Sequence, residues 1–224
     1  MTFKYHVSGV VRAFNCHLGA LWHRRRSMPF DVAKTSACSI MGSRLEYCNS
    51  LLYGAEAQLL RRHYVVQSIF SRTVLNVSRT NQHVSNILRE LHWLPIQSRI
   101  EFKITLLSYK AYQTHEPSYL STLLKPYTRS RSLKSCVQDL LVVQSARLKS
   151  VIRGFLCAEP RISNVIPITT RLSDSITGFK SHLKTYLFRI SFGLTGSTFP
   201  CFIFCSRSWH VKYWHCITLQ CIVS

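Results

Sequence analysis

Ile100, Ile104, Leu107 and Ala111 fall within one narrow arc when the chain is wound at about 100° per residue, and Phe102, Tyr109 and Tyr112 line the opposite flank. This pattern predicts a helix that starts after Pro95 and is buried on two sides. Between the apolar flanks Arg99, Lys103 and Lys110 form a thin basic edge, interrupted by Leu106. The same period recurs upstream. Pro29 and Asp31 precede Val32, Ile40, Leu45, Cys48 and Leu52, a run that stops at Gly54 and predicts one helix over 31–53. Leu59, Leu60, Tyr64, Ile69 and Phe70 predict a second over 55–75. Further along, Ser173 can cap a helix over 173–190 whose Ile176, Phe179, Leu183, Tyr186, Leu187 and Ile190 make a docking stripe. Lys180 and Lys184 are expected beside that stripe, in solvent.

Elsewhere the periodicity fails. Residues 1–30 are poorly specified, and prolines at 117, 126, 160 and 167 break up the next stretch, where Leu140 to Val143 suits a short strand. Residues 197–224 hold four cysteines and no acid and follow neither period, so a disordered tail is expected there. The fold class is therefore mainly α. A helical region over 31–116 is followed by a C-terminal region over 117–192 with a proline-rich, strand-containing middle segment. Trp93, set between Leu91 and Leu94 just ahead of Pro95, reads as a core anchor rather than a base-stacking platform.

Charge adds the next constraint. The 224 residues carry 29 Lys and Arg against 9 Asp and Glu, a balance of +20 that favours a polyanionic partner, RNA or DNA before a membrane surface. Hydrophobic residues make up 46%, enough for a packed core, so the composition is not that of a disordered chain. The nine cysteines are odd in number and scattered, which predicts reduced thiols in an intracellular protein of cytoplasm or nucleus. Neither a signal-peptide core nor an apolar run of membrane-spanning length is seen.

Candidate chemistry is sparse. Polymerases and nucleases cluster carboxylates to hold paired metal ions, yet no two of the nine acids lie closer than ten residues and no Asp-Asp pair occurs. Glycines 42, 54 and 154 are isolated, so no phosphate-cradling loop is expected. Cys201, Cys205, His210 and His215 approach a zinc knuckle, but three residues separate the cysteines where two are usual, and the turn glycine is missing. No metal site, cofactor or small-molecule substrate is expected. Basic groups remain: Arg24 to Arg26, Arg61 with Arg62, and Arg129, Arg131 and Lys134. Together with Arg99, Lys103 and Lys110, the last three are the expected phosphate contacts.

Four blocks in order carry a resemblance: "DVAKTSACSIMGSRLEYCNSLLYG" (31–54), "LRELHWLPIQSRIEFKITLLSYKAY" (88–112), "PSYLSTLLKPYTRSRSLKS" (117–135) and "RLSDSITGFKSHLKTYLF" (171–188). Over residues 12 to 192 the chain resembles the C-terminal part of the reverse-transcriptase polyprotein of LINE-type, non-LTR retrotransposons. The resemblance implies the region after the polymerase active site, a thumb-like helical portion that grips template RNA and primer. The family's palm, with its Tyr/Phe-x-Asp-Asp signature, and its endonuclease would lie upstream of residue 1, so no catalytic residue carries over and no enzyme activity is expected.

Departures read as decay. An Ala-Pro-x-x-Trp-Asn-x-Leu-Pro block of the family stands here as "EPRISNVIP" (159–167), with Glu159 for the small residue and Ser163 for the tryptophan. Loss of a buried Trp would cost about 3–5 kcal/mol. Two readings stay open at this point: a catalytically empty, non-specific nucleic-acid-binding remnant, or a translated transposon fragment, marginally folded, with no selected activity.

Overall fold

The structure, a computed structural model, describes residues 3–78, 82–127 and 140–194. It is mainly α, and no strand is present among the described residues. The helices are α1 (Lys4–Arg24), α2 (Phe30–Ile40), α3 (Ala57–Leu75), α4 (Val84–Glu90), α5 (Ile96–Thr114), α6 (Ser118–Ser121), α7 (Lys149–Ile152), α8 (Phe155–Ser163), α9 (Ile168–Arg171) and α10 (Ile176–Phe192). One core lies among α1 to α5, where Phe14 meets Phe70 edge-on with ring centres 4.6 Å apart and Leu88, Leu91 and Ile100 are buried. A second core, of Leu94, Leu106, Tyr109, Ile166, Phe179, Leu183 and Leu187, joins α5 to α10.

The strongest sequence signals hold. Proline fixes the backbone ahead of a helix and lacks only an N–H that the first turn would leave unpaired. Pro95 accordingly opens α5, its carbonyl accepting from the Arg99 N–H at 3.0 Å. Trp93 is 3% exposed, a core residue as its setting suggested.

Other expectations are overturned. The helix foreseen over 31–53 stops at Ile40, and the chain passes through a π turn over Met41–Leu45, a left-handed Cys48 and a 3-10 turn at Asn49–Leu52. The wider turn brings Met41 and Leu45 both inward and buries Glu46 behind them. Residues 1–30, read as unspecified, hold the 21-residue α1. Its Val7, Phe14 and Leu21 are buried at seven-residue intervals, while exposed Tyr5 and Trp22 blur the contrast between its faces. The strand at 140–143 is a single bridge between Pro126 and Leu141. The Asn164 side-chain amide takes both backbone groups of Leu141, each at 2.9 Å, and so stands where a neighbouring strand would. Ser175, not Ser173, caps α10 by accepting from the Gly178 N–H at 3.1 Å; Ser173 instead donates to the Thr170 carbonyl. Cys48 is disulfide-bonded, against the expectation of reduced thiols, while Cys16 and Cys157 are free; spacing along the chain does not fix which thiols meet in space. The tail after Leu194 lies outside the described residues.

The two departures at 159 and 163 prove to be one unit. Glu159 is fully buried on α8, and its Oε1 accepts from the hydroxyls of Ser163, one turn on, and Ser108 of α5. Its Oε2 has no partner. Burial pushes the carboxyl above its ordinary value of 4.5, and the two serine hydroxyls pull it part of the way back. A carboxyl raised in the folded state adds stability that is complete below the unfolded value and is lost as pH rises through the folded one. Glu159→Gln cannot ionise. Its stability advantage over the natural chain, measured by urea unfolding at a series of pH values, is therefore expected to grow from about pH 4.5 upward and then level off. A difference that stays constant across that range would contradict the buried-carboxyl account.

Candidate nucleic-acid interface

α5 and α10 run antiparallel, fixed at two points. At one end the hydroxyls of Ser98 and Ser191 share a hydrogen bond of 2.7 Å. At the other the Tyr109 ring stacks on Phe179, 3.9 Å between centres and 10° from parallel, and the Tyr109 hydroxyl donates to the Ser173 carbonyl. The two contacts are eleven residues apart along α5 and twelve along α10, so the register between them hardly slips. Across that pairing Lys103 and Lys110 both come near Lys180, and Lys184 comes near Glu46. All four lysines are partly buried. Lys180 and Lys184, expected in solvent, are partly buried, with Lys180 near Lys103 and Lys110 of α5.

The π turn lies beside α5. There Glu46 accepts from Arg99 Nη1, and the Arg99 Nε donates to the Leu94 carbonyl at 2.8 Å; the side chains are 8% and 12% exposed. Arg99 is therefore held by a carboxylate and a carbonyl, while Lys103 and Lys110 of the sequence-read ridge are partly buried. Arg129, Arg131 and Lys134 lie outside the described residues, as do Cys201, Cys205, His210 and His215.

The charged groups along this seam act on one another. Burial lowers the affinity of Lys103 for its proton; Glu46 partly restores it, and Lys110 and Lys180 depress it again. Lys110 is lowered by burial and then by Lys180, and Lys180 by burial alone. Burial likewise pushes the Glu46 carboxyl up, against the pull of Arg99, Lys103 and Lys184. The exposed His92 is lowered by burial, Lys34 and Lys184. Glu46 thus meets Arg99, Lys103 and Lys184. Holding like charges together at reduced hydration costs free energy, and a bound polyanion would return it.

Much of the other positive charge serves the fold. Arg25, in the middle of the Arg24–Arg26 run, donates to the Val74 carbonyl at 2.7 Å and that of Met28 at 3.0 Å. Arg72 ties the carbonyls of Ser78 and Gln82, and Arg62 reaches the Ser8 hydroxyl at 2.9 Å. With few acids in the chain, guanidiniums take carbonyls instead, several of them at helix ends where cations are favoured. On the opposite flank of α10 lies an open groove of about 720 Å³ along His182, Tyr186 and Arg189. Arg189 there donates to the Leu194 carbonyl at 3.4 Å.

Among the described residues no group of three or more His, Cys, Asp or Glu stands close enough to hold a metal ion, and no helix is long and apolar enough to cross a membrane. Compared with family models, curated proteins and solved structures, the chain matches none.

The ion pair gives a direct test of how the seam is held. Glu46→Ala leaves a guanidinium shielded from water with no carboxylate, and a loss of about 3–5 kcal/mol is expected, as for other broken buried pairs. Urea unfolding of Glu46→Ala, of Arg99→Met and of the double variant should give a double loss well short of the summed single losses. Simple additivity would mean that the pair is not coupled.

Proposed function

We propose that this chain is a remnant of the region that follows the palm in a LINE-type reverse transcriptase, and that it binds RNA or DNA through phosphates without reading sequence. The observation that carries the reading is the gathering of Lys103 and Lys110 of α5 with Lys180 of α10, with Lys184 on the same helix. The four family-like blocks and the +20 balance point the same way. Two of those blocks contain these lysines, so binding and ancestry rest on overlapping residues. Such a partner places the chain inside the cell. Catalysis is not part of the reading, because the acids are dispersed along the sequence.

Neutralising phosphates releases counterions, so affinity should fall with salt. With four lysines on phosphate, log affinity against log salt is expected to have a slope of about −2.8 on single strands. Changing Lys103 and Lys110 to Gln should flatten the slope by about 1.4 and weaken unrelated sequences equally. Fluorescence anisotropy over a salt series measures both. Affinity indifferent to salt, or a loss confined to one sequence, would overturn the reading. Primer extension on an RNA template with magnesium or manganese should yield no product above a mock-purified control; reproducible extension would contradict the non-catalytic part.

A further inference from the structure

The basic run at the end of α1 is only partly absorbed by the fold. Arg25 turns inward, where its guanidinium donates to the Val74 and Met28 carbonyls. Its neighbours Arg24 and Arg26 are exposed, and among the described residues neither guanidinium meets a carboxylate or a carbonyl. Trp22 and His23 come just before them in the last turn of α1. Trp22 is 65% exposed. Its ring centre lies 5.3 Å from that of His23 with the planes 74° apart, so the imidazole covers at most one face of the indole. The chain stays helical beyond α1, with Arg25 at φ −57° and ψ −37° entering a 3-10 turn over Arg25–Ser27. From Trp22 to Arg26 the rise is therefore about 6–8 Å, at 1.5–2.0 Å per residue. Two nucleotides span about the same length, at roughly 3.4 Å each.

We propose that this end of α1 is a further contact for single-stranded nucleic acid, with one base stacked on Trp22 and the adjoining phosphates on Arg24 and Arg26. The surface shares no residue with the α5–α10 seam and stands whether or not the lysines there touch phosphate. A helix C-terminus favours cations, which accounts for basic residues at this place. It gives no reason to leave an indole in water, and α1 has an inward face that takes Val7, Phe14 and Leu21, the last of them next to Trp22. An aromatic ring beside cations suits a single strand, because every base offers a ring face once it is unstacked, whereas a duplex keeps its bases on one another. The planar guanidinium fork is matched to phosphate oxygens, and the nearest acid along the chain is Asp31, beyond Pro29 at the start of α2. A membrane surface fits less well. The outer face of α1 offers Trp22 near one end and Tyr5 near the other, with Gly9, Arg12 and Asn15 exposed between them and no apolar strip to insert.

The test uses the full chain and four probes: oligouridylate, an RNA hairpin duplex with the same number of phosphates, inorganic polyphosphate, and vesicles of anionic phospholipid. Trp22→Ala should weaken oligouridylate about fivefold to a hundredfold, the range that the loss of one base stack gives, and leave duplex and polyphosphate unchanged. Trp22→Phe keeps a ring and should retain most of the binding. Arg24→Gln with Arg26→Gln should weaken oligouridylate and polyphosphate together and flatten the salt slope on the single strand by about 1.4. Because the three side chains are exposed, each variant should melt with the natural chain, which separates a lost contact from a lost fold. The inference falls if Trp22→Ala leaves oligouridylate binding unchanged, weakens the duplex as much as the single strand, or weakens the vesicles alone. In any of those cases the phosphate reading of the α5–α10 seam still stands if Lys103→Gln with Lys180→Gln weakens oligouridylate, and it falls as well if that pair changes nothing.

Discussion

Burial of α5 governs the rest of the structure. Its residues pack against the first core on one side, α10 on another and α8 on a third, yet its sequence carries Arg99, Lys103, Ser108 and Lys110. A helix surrounded this way must find a partner for each polar group or leave it where water can reach. Arg99 meets Glu46, Ser108 meets Glu159, and Ser98 meets Ser191. Lys103 and Lys110 stand partly buried along the seam with α10, near Lys180. Site and fold therefore come from one constraint. The seam that packs a charged helix also brings Lys103 and Lys110 near Lys180.

Arginine and lysine divide the work along chemical lines. The guanidinium fork can satisfy a carbonyl and a carboxylate at once, as Arg99 does, or two carbonyls, as Arg25 and Arg72 do. Lysine is a compact charge on a flexible stem, harder to satisfy in a partly buried place and easier to move onto a phosphate. Formal charge alone overstates what is available to a ligand. Counting which cations the fold already uses changes both the expected salt slope and the residues worth mutating.

The legible parts of this fold were those where one face is apolar over several turns. The Ile100–Ala111 arc and the Ile176–Leu187 stripe gave α5 and α10, and the Trp93–Pro95 entry gave the start of α5. The π turn after Ile40 carried no signal, because no glycine or proline stands at the left-handed Cys48 and the helical spacing of Leu45 and Leu52 runs straight through the break. Arg99 looked like part of a surface ridge because its partner, Glu46, is 53 residues away. The gathering of lysines was invisible for a related reason: only the α5–α10 pairing brings Lys180 to Lys103 and Lys110. Glu159 and Ser163 looked like separate losses, and their hydrogen bond makes them one polar arrangement.

The account's central claim is that the α5–α10 seam holds repelling lysines at a cost in stability that a bound polyanion offsets. Thermal unfolding at low ionic strength, with and without saturating oligouridylate, tests it most directly when the natural chain is compared with the Lys103→Gln, Lys180→Gln variant. Ligand that binds only the folded state raises the midpoint, and exposed charges are least screened when salt is low. The variant is expected to melt higher than the natural chain on its own and to gain little from the oligonucleotide, whereas the natural chain gains clearly. A variant that melts lower on its own, or that gains as much from the oligonucleotide as the natural chain does, would contradict the claim.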